Sequence, residues 1–272
     1  MGYNTKIDWC DSSWNPVTGC NHDCGYCYAR TLAKRYGGFD HDENKKLVGT
    51  QLAIGVQELD RPKHIMRRNG MHKAPYPWGF LPTLHRYRLD QPQKWSEPRT
   101  IFVCSMADLF GKWVPDEWIE EVINACLAAP QHRYLFLTKN PARYMHLIDN
   151  GIIPEKQPNF WLGSTATIPE MPFFWSECAN TFVSIEPMLA PFEAVGNERD
   201  SVSKCTDWII VGAETGNRKN KVVPKKEWVM ELVEQANLSR TPIFMKESLR
   251  GLMGDDFKQE FPWEVKSNEN PV

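Results

Sequence analysis

The chain has 272 residues, of which 42% are hydrophobic, and this is enough to bury a sizeable core in one large α/β domain. The formal net charge of −2 gives no overall attraction to nucleic acid, so any such binding depends on local patches. No apolar run approaches the roughly 20 residues of a membrane span and the start is polar, so we expect a cytoplasmic protein without membrane contact.

The first informative element in the chain is a compact cysteine loop. Cys20, Cys24 and Cys27 stand at C-x3-C-x2-C spacing. Three thiolates so close together leave the fourth iron of a [4Fe-4S] cube without a protein ligand, where a small molecule can bind. The spacing therefore favours an iron-sulfur site with an open coordination position.

A structural zinc site is the alternative for the same loop. Zinc accepts four thiolates, or three thiolates and one imidazole, and Cys10 or His22 could complete such a set. Zinc sites usually contain two separated cysteine pairs, and the chain has no second C-x2-C pair, so we favour the cluster. The remaining cysteines are interpreted as small buried hydrophobic residues: Cys104, Cys126, Cys178 and Cys205.

Behind the loop, short apolar runs alternate with helical patterns. The predicted strands are 14–19, 101–105, 134–138, 160–164, 181–185, 207–212 and 242–245. The predicted helices are 28–36, 118–129, 141–148 and 226–238, with a weakly helical, proline-rich stretch after 160–164. This alternation predicts an α/β fold with a parallel sheet, as a partial or closed βα barrel. A doubly wound open sheet is the competitor, but no G-x-G-x-x-G follows the first strand.

Residues 1–265 are predicted to form a single domain, and the polar residues 266–272 a disordered tail. Within that domain, 37–98 is too long for an ordinary βα connection. We therefore expect it to be an inserted cap segment over the active-site face.

Two basic patches are candidates for substrate binding. Arg61, Arg67 and Arg68 belong to a basic run inside the insertion, and aromatic residues follow it. Cations beside aromatic rings suit phosphates and stacked bases, although a solvated helix face would show the same pattern. Arg218 and Lys219 belong to a second basic loop, predicted to lie on the same face.

Polar residues follow nearly every predicted strand. In βα barrels the catalytic groups come from the carboxyl ends of the strands. The residues at these ends are Ser105, Asp108, Lys139, Ser164, Glu186, Glu214 and Lys246. We predict that Lys139, Glu214 and Lys246 are catalytic. The structural alternative is that at least one of these three forms an ion pair that seals the top of the barrel.

The cysteine spacing resembles that of the radical S-adenosylmethionine (SAM) enzymes, and the aromatic position of their motif falls on Tyr26. The resemblance implies that SAM binds the open iron through its amino and carboxylate groups. It also implies that an electron, from a donor such as flavodoxin or ferredoxin, cleaves SAM to a 5'-deoxyadenosyl radical.

A narrower resemblance runs in order over most of the chain. The matching motifs are WNPVTGC at 14–20, CYA at 27–29, SMADLF at 105–110, VPDE at 114–117, LTK at 137–139, WLG at 161–163, SIEP at 184–187 and VGAETG at 211–216. They are similar to the phage gene product 37/68 family, a radical-SAM-like domain of unknown function. That resemblance implies a partial barrel of the radical SAM type, a [4Fe-4S] cluster and SAM, without a settled substrate.

The chain departs from the radical SAM pattern after the second strand, where the Gly-Gly-Glu that binds the SAM amino group is not present. Ser105 and Asp108 occupy that region and are taken as its substitutes, with Ser164 and Glu186 as further SAM-binding residues. The gap of three residues between the first two cysteines, by contrast, matches ordinary radical SAM enzymes.

These observations lead us to expect a radical SAM enzyme that abstracts hydrogen from an anionic substrate. A nucleic acid or nucleotide, undergoing repair or modification, is favoured by the two basic patches and the phage association. Radical modification of a peptide or small metabolite is one alternative. The other is a zinc- or cluster-stabilised nucleic-acid-binding module without enzymatic activity.

Overall fold

Seven parallel strands form the main sheet of the computed structural model, which describes residues 5–37, 55–67, 69–192, 201–216 and 218–264. In chain order the strands are β1 (Ser12–Trp14), β2 (Val17–Thr18), β3 (Gln57–Leu59), β4 (His64–Arg67), β5 (Gly70–Lys73), β6 (Thr83–His85), β7 (Thr100–Val103), β8 (Arg133–Thr138), β9 (Phe160–Thr165), β10 (Asn180–Ile185), β11 (Ile209–Val211) and β12 (Ile243–Met245). The main sheet has the order β1-β7-β8-β9-β10-β11-β12 and is curled into a half-barrel. The predicted parallel sheet is confirmed, as a partial barrel.

Helices connect most of the strands in this sheet. They are α1 (Tyr28–Tyr36), α2 (Asp116–Leu127), α3 (Ala142–Asp149), α4 (Val202–Cys205), α5 (Lys226–Ser239) and α6 (Arg250–Met253). Short 3-10 turns occupy Arg86–Arg88, Pro92–Lys94, Glu247–Leu249 and Gly254–Asp256. α2 begins directly after Pro115, and its first turn carries Asp116 and Glu117, which suit the positive end of the helix dipole.

Alternate residues of each strand face opposite sides of the sheet. One side carries the helices: Ile101 and Phe136 are buried in a cluster with Ile119 of α2, and Val211 is buried in a second cluster with Leu232 of α5. Burying an aliphatic or aromatic side chain in this way contributes about 1.5–3 kcal/mol each before the entropic cost of ordering the chain.

The concave side of the sheet is filled mainly by aromatic rings. Phe102, Phe182 and Trp208 lie there, and the ring of Trp9 packs 4.6 Å from that of Phe102. Trp9 precedes β1, so the chain segment before the first strand lies inside the half-barrel. Phe261, near the end of the described chain, packs with the same cluster.

The described part of the 37–98 segment contains the four strands β3 to β6 and two short 3-10 turns, and β3 and β6 join β2, which precedes the segment. β2, β6 and β3 form a small mixed sheet, and β4 pairs with β5 in an antiparallel hairpin. Of the basic run, Arg67 lies in this hairpin and Arg61 precedes it, and neither lies in a helix, so the helix-face alternative is wrong for these described residues. Residues 38–54 lie outside the described residues.

Several boundaries differ from those expected. The first strand of the main sheet is Ser12–Trp14 rather than 14–19, and the proline-rich stretch after β9 forms no helix. Cys104 and Cys126 are buried as expected, but Cys178 is exposed and Cys205 is only partly buried. The described residues contain no helix that is both long and apolar enough to cross a membrane.

Candidate functional site

The cysteine loop begins at the carboxyl end of β2 and is fixed there by backbone contacts. The Gly19 amide donates to the carbonyl of Met106 at 2.9 Å, and the Cys20 amide donates to that of Phe80 at 3.2 Å. Gly19 has φ +89°, and a Cβ at this position would lie 2.2 Å from the Leu81 carbonyl oxygen. Only glycine fits this entry point, so the loop starts in a defined direction.

The three thiols are neighbours in this loop. Cys27 caps α1, because its sulfur accepts a hydrogen bond from the Arg30 amide at 3.3 Å. Burial raises the pKa of Cys20 to about 12, and the nearby Cys24 and Cys27 add to the rise. All three cysteines are partly buried. The three thiols thus lie near one another on a single loop.

Among the described residues, no three His, Cys, Asp or Glu side chains are grouped so that they could hold a metal ion. The donor chemistry of the loop nevertheless fits an iron-sulfur cluster, since thiolates are the usual ligands of such clusters. The thiol of Cys10 donates to the Ile7 carbonyl and packs with the concave aromatic cluster instead.

Asp108 is the hydrogen-bonding centre of the site. Its Oδ2 atom lies 2.7 Å from His22 Nε2 and accepts from the Lys139 amide at 2.9 Å. Its Oδ1 atom accepts from Thr138 Oγ1 at 2.7 Å and from the Phe110 amide at 3.1 Å. The buried carboxylate therefore joins the cysteine loop to the ends of β7 and β8, with both oxygens already engaged.

Asn15 and Tyr28 hold the residues after β7 in place. Asn15 Oδ1 accepts hydrogen bonds from Ser105 Oγ at 3.2 Å and from the Met106 amide at 2.9 Å. The Tyr28 hydroxyl donates to the Ser105 carbonyl at 2.6 Å. Although Tyr28 as a whole is 51% exposed, burial of its hydroxyl end raises its pKa above the usual range, with Glu186 adding to the effect.

Three of the predicted site residues lie just beyond the ends of their strands, on the concave side of the sheet. Lys139, Glu186 and Lys246 continue the alternation that points Leu135, Phe182 and Phe244 to that side. The Lys139 ammonium lies 5.3 Å from the centre of the Tyr26 ring, a cation–π contact between β8 and the cysteine loop. The structure thus brings Tyr26 and Lys139 together.

Glu186 and Lys246 form an ion pair across β11, with Lys246 Nζ 2.5 Å from Glu186 Oε1. Gly212 lies between them: a Cβ there would stand 3.0 Å from Lys246 Cδ and 3.3 Å from Glu186 Cγ. The glycine therefore leaves room for the pair. The side chain of Glu186 is 26% exposed and that of Lys246 is 18% exposed, so the pair is accessible from solvent.

Glu214 and Ser164 have partners away from this group. The buried Glu214 carboxylate accepts two hydrogen bonds of 2.6 Å from Arg218, and this contact lowers its pKa. Ser164 Oγ accepts from the Phe174 amide at 2.9 Å. It shares the helix-facing side of β9 with Leu162, so the structure does not bring it to the concave side. We expected at least one of the three predicted catalytic residues to form an ion pair. Two of them do: Lys246 pairs with Glu186, and Glu214 pairs with Arg218.

Of the predicted basic residues, three lie at the surface: Arg61, Arg218 and Lys219. Arg61 and Lys219 are exposed, and Arg218 is 41% exposed while it binds Glu214. Arg67 is the last residue of β4. Arg68 lies outside the described residues.

Sequence reasoning missed the structural role of His22, the bridge made by Asn15 and the contact of Tyr28. The period-two alternation could have separated Ser164 from Lys139 and Glu186, because Ser164 has the parity of the helix-facing Leu162. No local sequence signal indicates that Asn15 would bind residues after β7.

Comparison with known proteins adds a family but no activity. No curated protein and no solved structure matches the chain. A family model described as a protein of unknown function (DUF5131) matches residues 4–251. Because the match covers most of its length, the chain belongs to the DUF5131 family.

Proposed function

We propose that this protein is a radical SAM enzyme. Cys20, Cys24 and Cys27 would hold a [4Fe-4S] cluster, and SAM would occupy the remaining iron. The observation that carries this proposal is the position of the three-cysteine loop, which is hydrogen-bonded to the carboxyl ends of β7 and β8 in a parallel half-barrel. Barrel enzymes place their chemistry at that edge.

When bound, the cluster would supply the electron, taken from a donor such as flavodoxin or ferredoxin, that cleaves SAM to methionine and a hydrogen-abstracting 5'-deoxyadenosyl radical. The chain's own residues orient and enclose the site. Asp108 holds His22 and the loop against β7 and β8, and Tyr28 ties the start of α1 to Ser105. Fixed geometry of this kind is what radical chemistry needs to exclude side reactions.

The pair of Glu186 and Lys246 gives the mouth of the half-barrel one accessible carboxylate and one accessible ammonium. Lys246 can exchange its partner for an anionic group of a substrate, which supports an anionic substrate class. Lys139 adds a second ammonium near the cysteine loop. Glu214 is held by Arg218, so in this proposal it orders the loop after β11 rather than transferring a proton.

A nucleic acid or nucleotide remains the substrate class that we favour, because Arg61 and Lys219 are exposed cations. Phosphate groups bind such residues mainly through charge. A peptide or small metabolite would fit the Glu186 and Lys246 pair as well, and the salt dependence of binding distinguishes these classes.

Anaerobic reconstitution tests the proposal. The parent protein should retain about four irons per chain and, once reduced, should release 5'-deoxyadenosine from SAM. Cys20→Ala, Cys24→Ala and Cys27→Ala should each abolish both signals, whereas the exposed Cys178→Ala and the concave Cys10→Ala should not. Stoichiometric zinc without iron would overturn the proposal.

One observation favours the zinc alternative as a second candidate. His22 contacts Asp108 through Nε2, the arrangement in which a carboxylate orients a metal-binding histidine through its other nitrogen. A zinc site of three cysteines and His22 would lose its metal in His22→Ala. A cluster ligated by cysteines alone would still take up iron in that variant, at a level no lower than in Asp108→Asn, which breaks the same contact.

A further inference from the structure

The hairpin of β4 and β5 presents one face to solvent. His64 is paired with Lys73, and Met66 with Met71, across the two strands. Because cross-strand partners and alternate residues of a strand point to the same side, these four side chains share one face. All four are exposed, Met66 to 74% and Met71 to 60%. The face therefore holds two large apolar side chains in solvent between a histidine and a lysine.

The two methionines lie near the tip of the hairpin. Only the pair of Arg67 and Gly70 lies between them and the turn. Directly opposite residues of an antiparallel pair have Cβ atoms about 4.5–5.5 Å apart, so Met66 and Met71 form one narrow apolar projection. Methionine is unbranched and polarizable, and it adapts to the surface that it meets.

The segment that carries these methionines is strongly basic. Residues 61–73 contain no Asp or Glu, in a chain whose net charge is −2, and five Lys or Arg: Arg61, Lys63, Arg67, Arg68 and Lys73. Arg61 and Lys73 are exposed at the surface. A complementary partner combines negative charges with flat apolar surfaces between them. Nucleic acids have this combination, because phosphates flank their stacked bases.

The base of the hairpin is attached next to the cysteine loop. The Ala74 amide donates to the Lys63 carbonyl at 2.8 Å, and Lys63 Nζ lies 3.8 Å from the ring centre of Trp78. Two residues further on, the Phe80 carbonyl accepts from the Cys20 amide. The hairpin is thus anchored beside the carboxyl edge of the main sheet, where the proposed reaction takes place.

We propose that the hairpin of β4 and β5 binds duplex DNA and inserts Met66 and Met71 between stacked base pairs. The inference rests on the nucleic acid substrate class proposed above. Two-stranded ribbons enter the grooves of DNA, and apolar side chains, methionine among them, unstack base steps when they are wedged in. Duplex RNA offers a narrow major groove and a shallow minor groove instead.

Such a wedge would serve the proposed reaction. Enzymes that act on a base cannot reach it inside the duplex and first take it out of the stack. Insertion of the two methionines would lower the cost of that step, and the basic residues of the hairpin would hold the flanking phosphates.

A membrane surface is the other partner that a basic segment with apolar side chains can attract. Interfacial binding depends on a broad apolar face that is buried among the lipids. Here the apolar part is a single pair, and His64 and Lys73 form the next pair on the same face. A narrow apolar projection suits the gap between two base pairs better than a bilayer.

Fluorescence of a short DNA duplex that carries 2-aminopurine beside one mismatched pair tests the wedge. This base analogue is quenched while it is stacked, and a mismatch makes unstacking less costly. The full chain, without iron or SAM and at saturating concentration, should raise the fluorescence at least about twofold, because a wedge unstacks the step that it enters.

Four variants separate insertion from charge. Met66→Ser combined with Met71→Ser should remove most of the rise and keep the parental salt dependence of duplex binding, since no charge is lost. Leucine at both positions keeps the apolar volume and should keep the rise. Lys73→Ala should flatten the logarithmic salt dependence by about 0.9 and keep the rise at saturation. Met145→Ser is the matched control, because Met145 is a 52% exposed methionine in α3.

The inference is overturned if the rise survives in the serine pair, is lost in the leucine pair, or is removed by Met145→Ser. Duplex binding without any rise in the parent would overturn the wedge and leave the nucleic acid substrate class standing. No duplex binding, with methionine-dependent binding to phosphatidylserine vesicles, would assign the hairpin to a membrane surface instead. A methionine-dependent rise in a protein that takes up no iron would uphold the inference and contradict the radical SAM proposal.

Discussion

The Nε2 atom of His22 lies 2.7 Å from Oδ2 of Asp108, and this contact joins the cysteine loop to the segment that follows β7. His22 is the second residue after Cys20, and its amide also donates to the Cys20 sulfur at 3.5 Å. The position of the first thiol therefore depends on a carboxylate that is distant in sequence.

Asp108→Asn should loosen the loop. In one orientation the two donors on Oδ2, His22 and the Lys139 amide, would meet an NH2 group in place of an oxygen. In the rotated orientation the NH2 group would face the Phe110 amide and that hydrogen bond would be lost. We expect a loss of about 2–3 kcal/mol in the unfolding free energy of the metal-free protein, measured in urea.

The matched control is Asp207→Asn. Asp207 accepts from the Thr181 amide at 2.9 Å, at the amino-terminal edge of the sheet. Iron retention after reconstitution should fall in Asp108→Asn and stay at the parental value in Asp207→Asn. Equal iron retention in the two variants would show that Asp108 does not position the loop.

Gly212→Ala should disturb the ion pair of Glu186 and Lys246. The added methyl group would lie 3.0 Å from Lys246 Cδ, closer than ordinary van der Waals contact. A double-mutant cycle with Glu186→Gln and Lys246→Met should give a coupling of about 1 kcal/mol in the parent, since the pair is partly exposed. In the Gly212→Ala background the coupling should approach zero.

Gly25→Ala serves as the control for that cycle, because a Cβ at Gly25 meets nothing within 4 Å. The coupling between Glu186 and Lys246 should be the same there as in the parent. A coupling that survives in Gly212→Ala would mean that the glycine is not needed for the pair.

His85 should make the protein less stable as the pH falls. Burial lowers the pKa of His85 from 6.5 to about 3, so the folded protein keeps the ring neutral while the unfolded chain takes up a proton. The stabilisation is complete above the unfolded pKa of 6.5 and is lost as the pH falls towards the folded value. The expected slope is about 1.4 kcal/mol per pH unit in that interval.

Urea unfolding between about pH 7 and pH 4 measures this slope, with His85→Gln for comparison. Glutamine can keep a hydrogen bond to Thr18, which lies 2.9 Å from His85 Nε2, but it does not titrate. The unfolding free energy of the variant should fall less steeply with decreasing pH than that of the parent, by about 1.4 kcal/mol per pH unit. Parallel curves would contradict a neutral buried His85.

Lys219 and Arg218 should differ in their contribution to oligonucleotide binding, although they are adjacent. The charge of Arg218 is balanced by Glu214, whereas Lys219 is exposed. Lys219→Ala should therefore flatten the logarithmic salt dependence of single-strand binding by about 0.7, and Arg218→Ala should change it less. Binding that ignores salt in the parent would exclude a nucleic acid substrate.

The prediction of the fold depended on the regular pattern of apolar residues. The strands from β7 to β12 are contiguous apolar runs that are followed by turns or amphipathic helices, so these strands and their parallel sheet could be expected from local sequence. β1 could not, because a strand of three residues, Ser12–Trp14, has too little pattern to be recognised. The position of β1 in the sheet depends on its pairing with β7, which is distant in sequence.

The candidate site was predictable only in part, for a physical reason. Strand ends identify which polar residues lie at one edge, and Asp108, Lys139, Glu186 and Lys246 are all there. Which side chain bonds to which depends on three-dimensional packing, so the pairing of Glu214 with Arg218 was not foreseen.

The pairing of β1 with β7 bears on how the protein folds. Ser12 is aligned with Ile101, so the first strand must close a long stretch of chain before it can join the sheet, whereas the strands from β7 to β12 follow one another. Long-range pairings of this kind form late, because the chain loses the entropy of closing the loop before the pairing stabilises it. The cysteine loop lies within that stretch, so we expect its thiols to take up their final positions only after β1 has docked, and the proposed cluster would then assemble on a nearly folded chain.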